Sequence, residues 1–176
     1  MRGWLLGGLL ALASAGAAKA DDLTVTMHKI DTSGVGEAVG TVTISGGDGS
    51  GAVFATDLRG LPAGEHGFHV HANADCGPGP NDQGQVVAGG AAGGHWDPDA
   101  TRQHRGPEGG GHLGDLPALT VAADGTARER LAVPRITDLG RLKGHGLMIH
   151  AGGDNYADQP QPLGGGGGRV ACGVIQ

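Results

Sequence analysis

The amino-acid sequence predicts an all-β domain of short antiparallel strands, arranged as a sandwich or a barrel. Three observations favour this class. The length of 176 residues fits one domain with one hydrophobic core. Apolar and polar residues alternate with a period of two in several short segments. With 38 glycines and only 3% aromatic residues, no segment is typical of a long helix.

Eight segments have the alternation and β-branched content of strands, and Gly, Asp or Pro separates them. A strong signal for a tight hairpin, Asp124-Gly125, lies between the fifth and the sixth. The predicted strands are Leu23–Ile30, Val39–Ser45, Ala52–Leu58, Gly67–Ala72, Ala118–Ala122, Ala127–Val133, Leu147–Ala151 and Arg169–Ile175.

Two long irregular stretches separate the strands. Asn73–Leu116 has no sustained pattern over about 44 residues, and a loop of that length requires a function or an anchor. Gly152–Gly168 contains Asp154 and ends in five consecutive glycines. Because this glycine run directly precedes the last strand, we interpret it as a loop that passes close to another group rather than as a flexible linker.

Residues 1–20 have the features of an export signal. Arg2 supplies the positive start, Leu5–Leu12 the apolar stretch, and residues 18–20 an A-x-A cleavage site. The alternative, a membrane anchor, is disfavoured because a spanning helix requires about 18–20 apolar residues. We therefore expect a mature domain at 21–176 in the periplasm or otherwise secreted, with no membrane contact after cleavage.

Export implies an oxidising compartment, so the two cysteines, Cys76 and Cys172, are expected to form a disulfide; two reduced buried thiols are the alternative. The formal charge of −6 becomes more negative when Arg2 and Lys19 leave with the signal. We therefore expect no nucleic-acid partner, since phosphate binding requires a basic face.

His69 and His71 lie two residues apart on a predicted strand, so both side chains leave the same face. By itself such a pair is more often a surface feature or a hydrogen-bonding pair in the core than a metal site. His150 ends another strand and makes a third imidazole available. Three or four imidazoles without sulfur ligands suit copper, whose oxidised form accepts tetragonal nitrogen ligation.

The long loop contains a second set of potential ligands. Three imidazoles and one carboxylate make a closed tetrahedral zinc set, which would be structural and would pin the loop. A histidine-rich loop that binds metals loosely is the alternative. The residues of this set are His95, His104, His112 and Asp115.

Four motifs together resemble the copper,zinc superoxide dismutase family, and they occur in the family's order between about Asp21 and Gln176. A further segment, Met148–Asn155, resembles the bacterial periplasmic branch. The motifs are Gly67-Phe68-His69-Val70-His71, Gly93-Gly94-His95-Trp96-Asp97-Pro98, Gly111-His112-Leu113-Gly114-Asp115 and Gly168–Ile175.

The resemblance implies an eight-stranded antiparallel Greek-key β-barrel with two long functional loops. It implies that copper redox cycling converts superoxide to oxygen and hydrogen peroxide, in a monomer or a homodimer. By matching motif, one group of residues would bind copper and a second group, sharing one histidine, would bind zinc. These are His69, His71, His95 and His150 for copper, and His95, His104, His112 and Asp115 for zinc.

Other roles also follow from the resemblance. Arg169 matches the arginine beside the copper, and Asp154 matches a carboxylate that links a copper histidine to a zinc histidine. Cys76 and Cys172 match the family's disulfide. A surface salt bridge for Arg169 and a loop cap for Asp154 are the alternatives. A non-catalytic copper or zinc carrier of the same fold is the alternative function, and it would be expected to lack a copper ligand or Arg169.

Overall fold

The computed structural model describes residues 22–47, 49–81 and 83–176, and their regular structure is almost entirely β. The predicted export signal lies outside these residues. Three short 3-10 turns cover Gly90–Ala92, Leu139–Leu142 and Leu163–Gly165. The strands are β1 (Leu23–Asp31), β2 (Gly34–Gly46), β3 (Ala52–Leu58), β4 (Gly64–His66), β5 (Phe68–His71), β6 (Gly79–Pro80), β7 (Val86–Val87), β8 (Leu119–Val121), β9 (Arg130–Val133), β10 (His145–His150) and β11 (Arg169–Ile175).

Seven strands form one antiparallel sheet in the order β5-β10-β11-β1-β2-β3-β9. The sheet curls into a barrel because β4 and β5 are separated only by Gly67 but pair with different strands. β5 pairs with β10, whereas β4 pairs with β8. Since β8 leads through a tight turn into β9 at the other edge of the sheet, this pairing brings the two edges together.

The connections have Greek-key topology. The chain leaves β3, whose neighbours are β2 and β9, and crosses the barrel end to β4. It crosses again from β9 to β10 through residues 134–144. These crossings confirm the predicted Greek-key barrel. No helix among the described residues is long and apolar enough to cross a membrane.

The eight predicted strands are all present, with several differences in their bounds and pairing. β2 begins at Gly34 rather than Val39, because the side chain of Asp31 closes a turn by accepting hydrogen bonds from the backbone N–H groups of Ser33 and Gly34. Glycines in this first part of β2 interrupt the apolar alternation on which the prediction depended. The fourth predicted strand is present as β5, and a short strand that was not predicted, β4, precedes it across Gly67.

A further difference concerns the predicted hairpin. The turn forms, with Ala122 accepting from Gly125 and donating to Thr126, and Gly125 has a left-handed φ of 80°. The flanking strands nevertheless pair with β4 and β3, not with each other. β9 is also shorter than predicted, because the Thr56 hydroxyl replaces a backbone partner and bonds the chain around residues 127–129.

The barrel interior is apolar, and the strand alternation sorts side chains between it and the loops. On β5, Phe68 and Val70 belong to the main core while His69 and His71 do not. The same alternation puts Leu147 and Ile149 of β10 in the core. His69, His71 and His150 lie outside this core and are buried beneath the loops, whereas His145 at the start of β10 is only partly buried.

A disulfide joins the long loop to the centre of β11. Cys76 and Cys172 are bonded, with Cα atoms 5.7 Å apart and a sequence separation of 96. The bond belongs to a second small apolar cluster that also contains Ile30, Ala92 and Met148. The loop predicted to be irregular is thus anchored to the barrel, and it contains the two-stranded ribbon of β6 and β7.

Candidate metal centre

The backbone of β5 positions ligands from both the strand and the long loop. Two isolated β-bridges pair His71 with His95 and His69 with Asp115. Hydrogen bonds on either side of these bridges, from Trp96 N to Val70 O at 2.8 Å and from Val70 N to Gly114 O at 2.9 Å, extend the contact. Backbone pairing of the kind found in a β-sheet therefore fixes the loop residues beside the strand residues.

Four imidazoles converge on the outer face of β5 and β10. Their candidate ligand atoms lie within 4.8 Å of one another, and all four residues are buried. The Nε2 atoms of His71 and His150 are 3.3 Å apart, and the rings of His69 and His95 stack with centroids 4.0 Å apart. We call His69, His71, His95 and His150 the four-histidine group.

A second buried group meets within the long loop, again with ligand atoms within 4.8 Å of one another. The Oδ1 atom of Asp115 is its centre. It lies 2.9 Å from His95 Nδ1, 3.0 Å from His104 Nδ1 and 3.2 Å from His112 Nδ1. We call His95, His104, His112 and Asp115 the carboxylate group.

His95 belongs to both groups and offers each a different nitrogen. Its Nδ1 faces Asp115 in the carboxylate group, while its Nε2 is buried and has no hydrogen-bond partner among the described residues. One imidazole can therefore contact two ions at once.

Hydrogen bonds on the outer ring nitrogens select which nitrogen of each histidine faces a group. His71 Nδ1 donates to the carbonyl of Gly93 at 2.9 Å, and His150 Nδ1 lies 3.2 Å from the carbonyl of Gly167. These bonds leave Nε2 of both rings as the lone-pair donor. Such outer contacts fix the tautomer and the orientation of a metal-binding imidazole.

Asp154 joins the two groups from the second loop. One carboxylate oxygen accepts from His69 Nε2 at 2.7 Å, and the other accepts from His104 Nε2 at 2.8 Å. The backbone N–H of Tyr156 adds a third bond at 2.7 Å. Because Asp154 occupies the Nε2 atoms, both rings present Nδ1 to their groups.

Burial and charge shift the pKa values of these groups in opposite directions. Burial lowers the pKa of His95 to about 3, with the neighbouring His69 contributing, and it also holds the pKa values of His71 and His150 well below the usual range. For His104, burial acts downward, but the hydrogen bonds and charges of Asp115 and Asp154 outweigh it and raise the pKa to about 9.

The donors fit copper and zinc. Two buried ring nitrogens, His69 Nδ1 and His95 Nε2, have no hydrogen-bond partner among the described residues, although buried polar atoms are normally paired. Both belong to residues of the four-histidine group. Four imidazoles without a hard oxygen ligand suit copper, and three imidazoles with one carboxylate suit tetrahedral zinc.

Arg169, the first residue of β11, stands beside the four-histidine group. Its guanidinium donates to the carbonyls of Gly89 and Gly93, and the latter carbonyl also accepts from His71. A cavity of about 620 Å³ opens here, and among the described residues that line it Arg169 is the only one with a charged side chain. A positive charge therefore lines this cavity, close enough to His71 and His150 to contribute to their lowered pKa values.

The other histidines lie outside both groups. His66 is buried, and its two nitrogens face the carbonyl oxygens of His150 and Pro62 at 2.7 and 2.8 Å. His28 faces the carbonyl of Gly36, and His145 packs against Trp96 with ring centroids 4.7 Å apart. Trp96 is only 8% exposed, so it packs inward.

Sequence reasoning missed two supporting residues. Asp158 accepts a hydrogen bond from the backbone N–H of His104 at 3.0 Å, and Arg135 contacts the backbone beside His112. Neither belongs to a sequence motif, and each is remote in sequence from the histidine it contacts. Only the fold brings them there.

Comparison with known proteins agrees with this geometry. The model of the copper/zinc superoxide dismutase family matches residues 38–175. The chain belongs to this family. Among curated members, "Superoxide dismutase [Cu-Zn]" of Escherichia coli strain K12 is 51% identical over 168 residues, which are 96% of each chain.

Solved structures of the family share the fold. The Cu/Zn superoxide dismutase from Brucella abortus is 49% identical, has a TM-score of 0.84, and is matched over 89% of this chain and 100% of that one. The monomeric copper, zinc superoxide dismutase from Salmonella enterica is 54% identical, with a TM-score of 0.77 and the same coverage. A superoxide-dismutase-like protein from Bacillus subtilis is more distant, at 26% identity and a TM-score of 0.66 over 87% of this chain and 97% of that one.

Proposed function

We propose that this member of the copper/zinc superoxide dismutase family converts two superoxide anions and two protons to oxygen and hydrogen peroxide at the two ligand groups described above. The four-histidine group would hold copper, and the carboxylate group would hold zinc. The observation that supports this most directly is the position of His95, which has one nitrogen in each group. When bound, copper supplies one-electron redox chemistry, and zinc supplies a fixed positive charge without redox chemistry.

Arg169 would attract and orient the substrate. The chain has a net charge of −6, so a superoxide anion is repelled at long range, and productive approach requires a local positive field. A guanidinium remains charged at all relevant pH values and can donate hydrogen bonds to a small anion. Its two bonds to loop carbonyls hold it at the cavity beside His71.

His95 is the candidate proton donor. Its Nε2 atom is buried and has no hydrogen-bond partner among the described residues, so no protein group competes for a proton there. Asp115 holds the opposite nitrogen at 2.9 Å and fixes the ring. A proton taken up at Nε2 would lie beside the substrate site, from which it can pass to the peroxide product.

The non-catalytic carrier is disfavoured by the intact set of residues. A protein that only stores or transfers metal has no need for a fixed cation at the mouth of its site. This chain has all four imidazoles together with Arg169. Its family relatives at about half identity are named as superoxide dismutases.

Location and assembly are further parts of the proposal. Family membership and the N-terminal residues support export to the periplasm with cleavage near Asp21. The Salmonella relative, described as monomeric, favours the monomer over the homodimer. Light scattering on dilute mature protein, and mass spectrometry of its N-terminus after expression in a bacterium, test these assignments.

Metal analysis combined with an activity assay tests the function. We expect reconstituted protein to hold one copper and one zinc per chain and to remove superoxide catalytically. Omission of copper should abolish the activity, and omission of zinc should leave the copper bound. Two zinc ions per chain, with no activity gained on adding copper, would contradict the proposal.

A further inference from the structure

The long loop that contains the carboxylate group is anchored to the barrel by Arg135, a residue that belongs to none of the sequence motifs. Arg135 donates from Nη1 to the carbonyl of His112 at 3.0 Å and from Nη2 to the carbonyl of Gly111 at 2.7 Å. One guanidinium thus bonds two consecutive carbonyls of the loop. Two bonds in a fixed planar geometry restrain both the position and the direction of that backbone.

The base of Arg135 is rigid. It lies in the connection between β9 and β10, in a turn closed by a bond from Ile136 N to Val133 O at 3.3 Å. Val133 and Ile136 are 1% and 2% exposed and belong to the main core. The guanidinium therefore holds the loop backbone at a fixed position relative to the barrel wall.

His112 needs such support more than the other members of its group. Its side chain is 8% exposed, whereas those of His95, His104 and Asp115 are at most 1% exposed. His95 and Asp115 are also pinned to β5 by β-bridges. A ligand at the solvent edge of a site is the one that most readily detaches first.

The other side of the same backbone segment is already filled. The N–H of His112 donates to the carbonyl of Gln103 at 2.9 Å, and a Cβ atom at Gly111 would lie 2.3 Å from that same carbonyl oxygen. The segment is therefore held between the loop on one side and Arg135 on the other. Loss of the arginine would leave the loop side, where the partner is a carbonyl of the same long loop rather than of the barrel.

We propose that Arg135 is a positioning residue for zinc: it holds His112 in ligand geometry and thereby slows zinc release. The inference rests on the proposed assignment of zinc to the carboxylate group. Residues that orient a ligand through a second contact typically change metal affinity by about 10–100-fold when they are replaced. We expect Arg135→Met to accelerate zinc loss by about that factor, while copper is retained.

The experiment follows zinc transfer from the copper- and zinc-loaded protein to a chromogenic chelator at a temperature well below melting. Arg135→Met keeps an apolar stem and removes the donors. Arg135→Lys keeps the charge but not the fork, so we expect an intermediate rate. Arg130→Met is the matched control, since Arg130 is exposed on β9 and contacts neither carbonyl.

A spectroscopic measurement separates positioning from general destabilisation. Cobalt in the zinc site gives visible bands that depend on ligand geometry, and we expect these bands to change in Arg135→Met but not in Arg130→Met. Equal zinc loss from wild type and Arg135→Met, or equal acceleration in the Arg130 control, would overturn the proposal. If wild-type protein holds no zinc, the assignment of the carboxylate group fails instead. If Arg135→Met does not fold, the Lys variant decides.

Discussion

Zinc uptake by the metal-free protein should displace a proton from His104. This ring lies between two carboxylates, with Nδ1 3.0 Å from Asp115 and Nε2 2.8 Å from Asp154. Their bonds and charges overcome burial and raise the pKa to about 9. Zinc requires the lone pair of Nδ1, so a proton must leave before the ligand set can close.

The size of the effect follows from this pKa. At pH 7, two units below it, about 99% of the molecules hold the extra proton, which weakens apparent zinc affinity about 100-fold, or by about 3 kcal/mol. Each unit of pH between about 7 and 9 should therefore raise the apparent affinity close to tenfold from this group alone. The gain should level off above about 9.

Isothermal titration calorimetry with one equivalent of zinc, repeated in buffers of different ionisation enthalpy, measures the protons released. We expect about one proton per zinc at pH 7 and about half of one near pH 9. Asp154→Asn removes one of the two carboxylates and should reduce the release at neutral pH. Asp158→Asn is the matched control, because Asp158 accepts from the backbone N–H groups of His104 and Leu163 and does not bond the His104 ring. Release of no proton at pH 7, or an affinity that does not depend on pH between 7 and 9, would refute the reasoning.

The same groups determine how the stability of the metal-free fold depends on pH. The raised pKa of His104 stabilises the fold below its unfolded value of 6.5, and this contribution is lost as the pH rises through about 9. The pKa values of His71, His95 and His150 are lowered in the fold. Below pH 6.5 the unfolded chain therefore binds more protons at these residues than the folded chain does, and the fold loses stability as the pH falls. Thermal melting of the metal-free protein should therefore show a maximum near pH 6.5, and a steady rise in melting temperature from pH 6.5 to 9 would contradict these shifts.

Three further predictions concern the substrate, the disulfide and the shared ligand. Arg169→Gln should lower the bimolecular rate with superoxide by about tenfold or more and weaken or invert its salt dependence, with metal content unchanged; equal rates and salt slopes in pulse radiolysis would remove Arg169 from the mechanism. Reduction of Cys76–Cys172, which closes a loop of 96 residues, should cost at most about 5 kcal/mol of stability and speed zinc loss; unchanged melting and unchanged zinc retention would show that the loop needs no such anchor. His95→Ala should keep copper on three imidazoles and abolish the response of the copper spectrum to zinc, whereas a response like that of wild type would rule out His95 as the bridge.

The strands, and the residues that the two groups bring together, could be predicted because each depends on local pattern or spacing. The two-residue period of a strand is enough to predict that His69 and His71 leave the same face of β5. The apolar residues that alternate with them, Phe68 and Val70, identify the opposite face as the core face. Where the pattern is interrupted, the prediction fails. Glycines conceal the start of β2, and the Thr56 hydroxyl, 73 residues from its partner Glu129, shortens β9.

The supports of the site could not be predicted in the same way. Arg135 and His112 are 23 residues apart, and the atom that Arg135 contacts is a backbone carbonyl, which no residue type marks. The carbonyl of Gly93 accepts hydrogen bonds from both His71 and Arg169, and no residue type in the sequence indicates this role. Backbone acceptors become visible only when the fold sets their directions.

The carboxylate of Asp154 has one oxygen on a ring of each ligand group, and His95 contributes one nitrogen to each. These are two independent routes by which the filling of one group alters the other. The coupling between the two groups is reciprocal. If bound zinc changes the affinity for copper by some factor, bound copper changes the affinity for zinc by the same factor. The total free energy of binding is the same whichever ion binds first. When the factor exceeds one, the protein that holds a single ion is less populated than it would be if the two groups bound their ions independently.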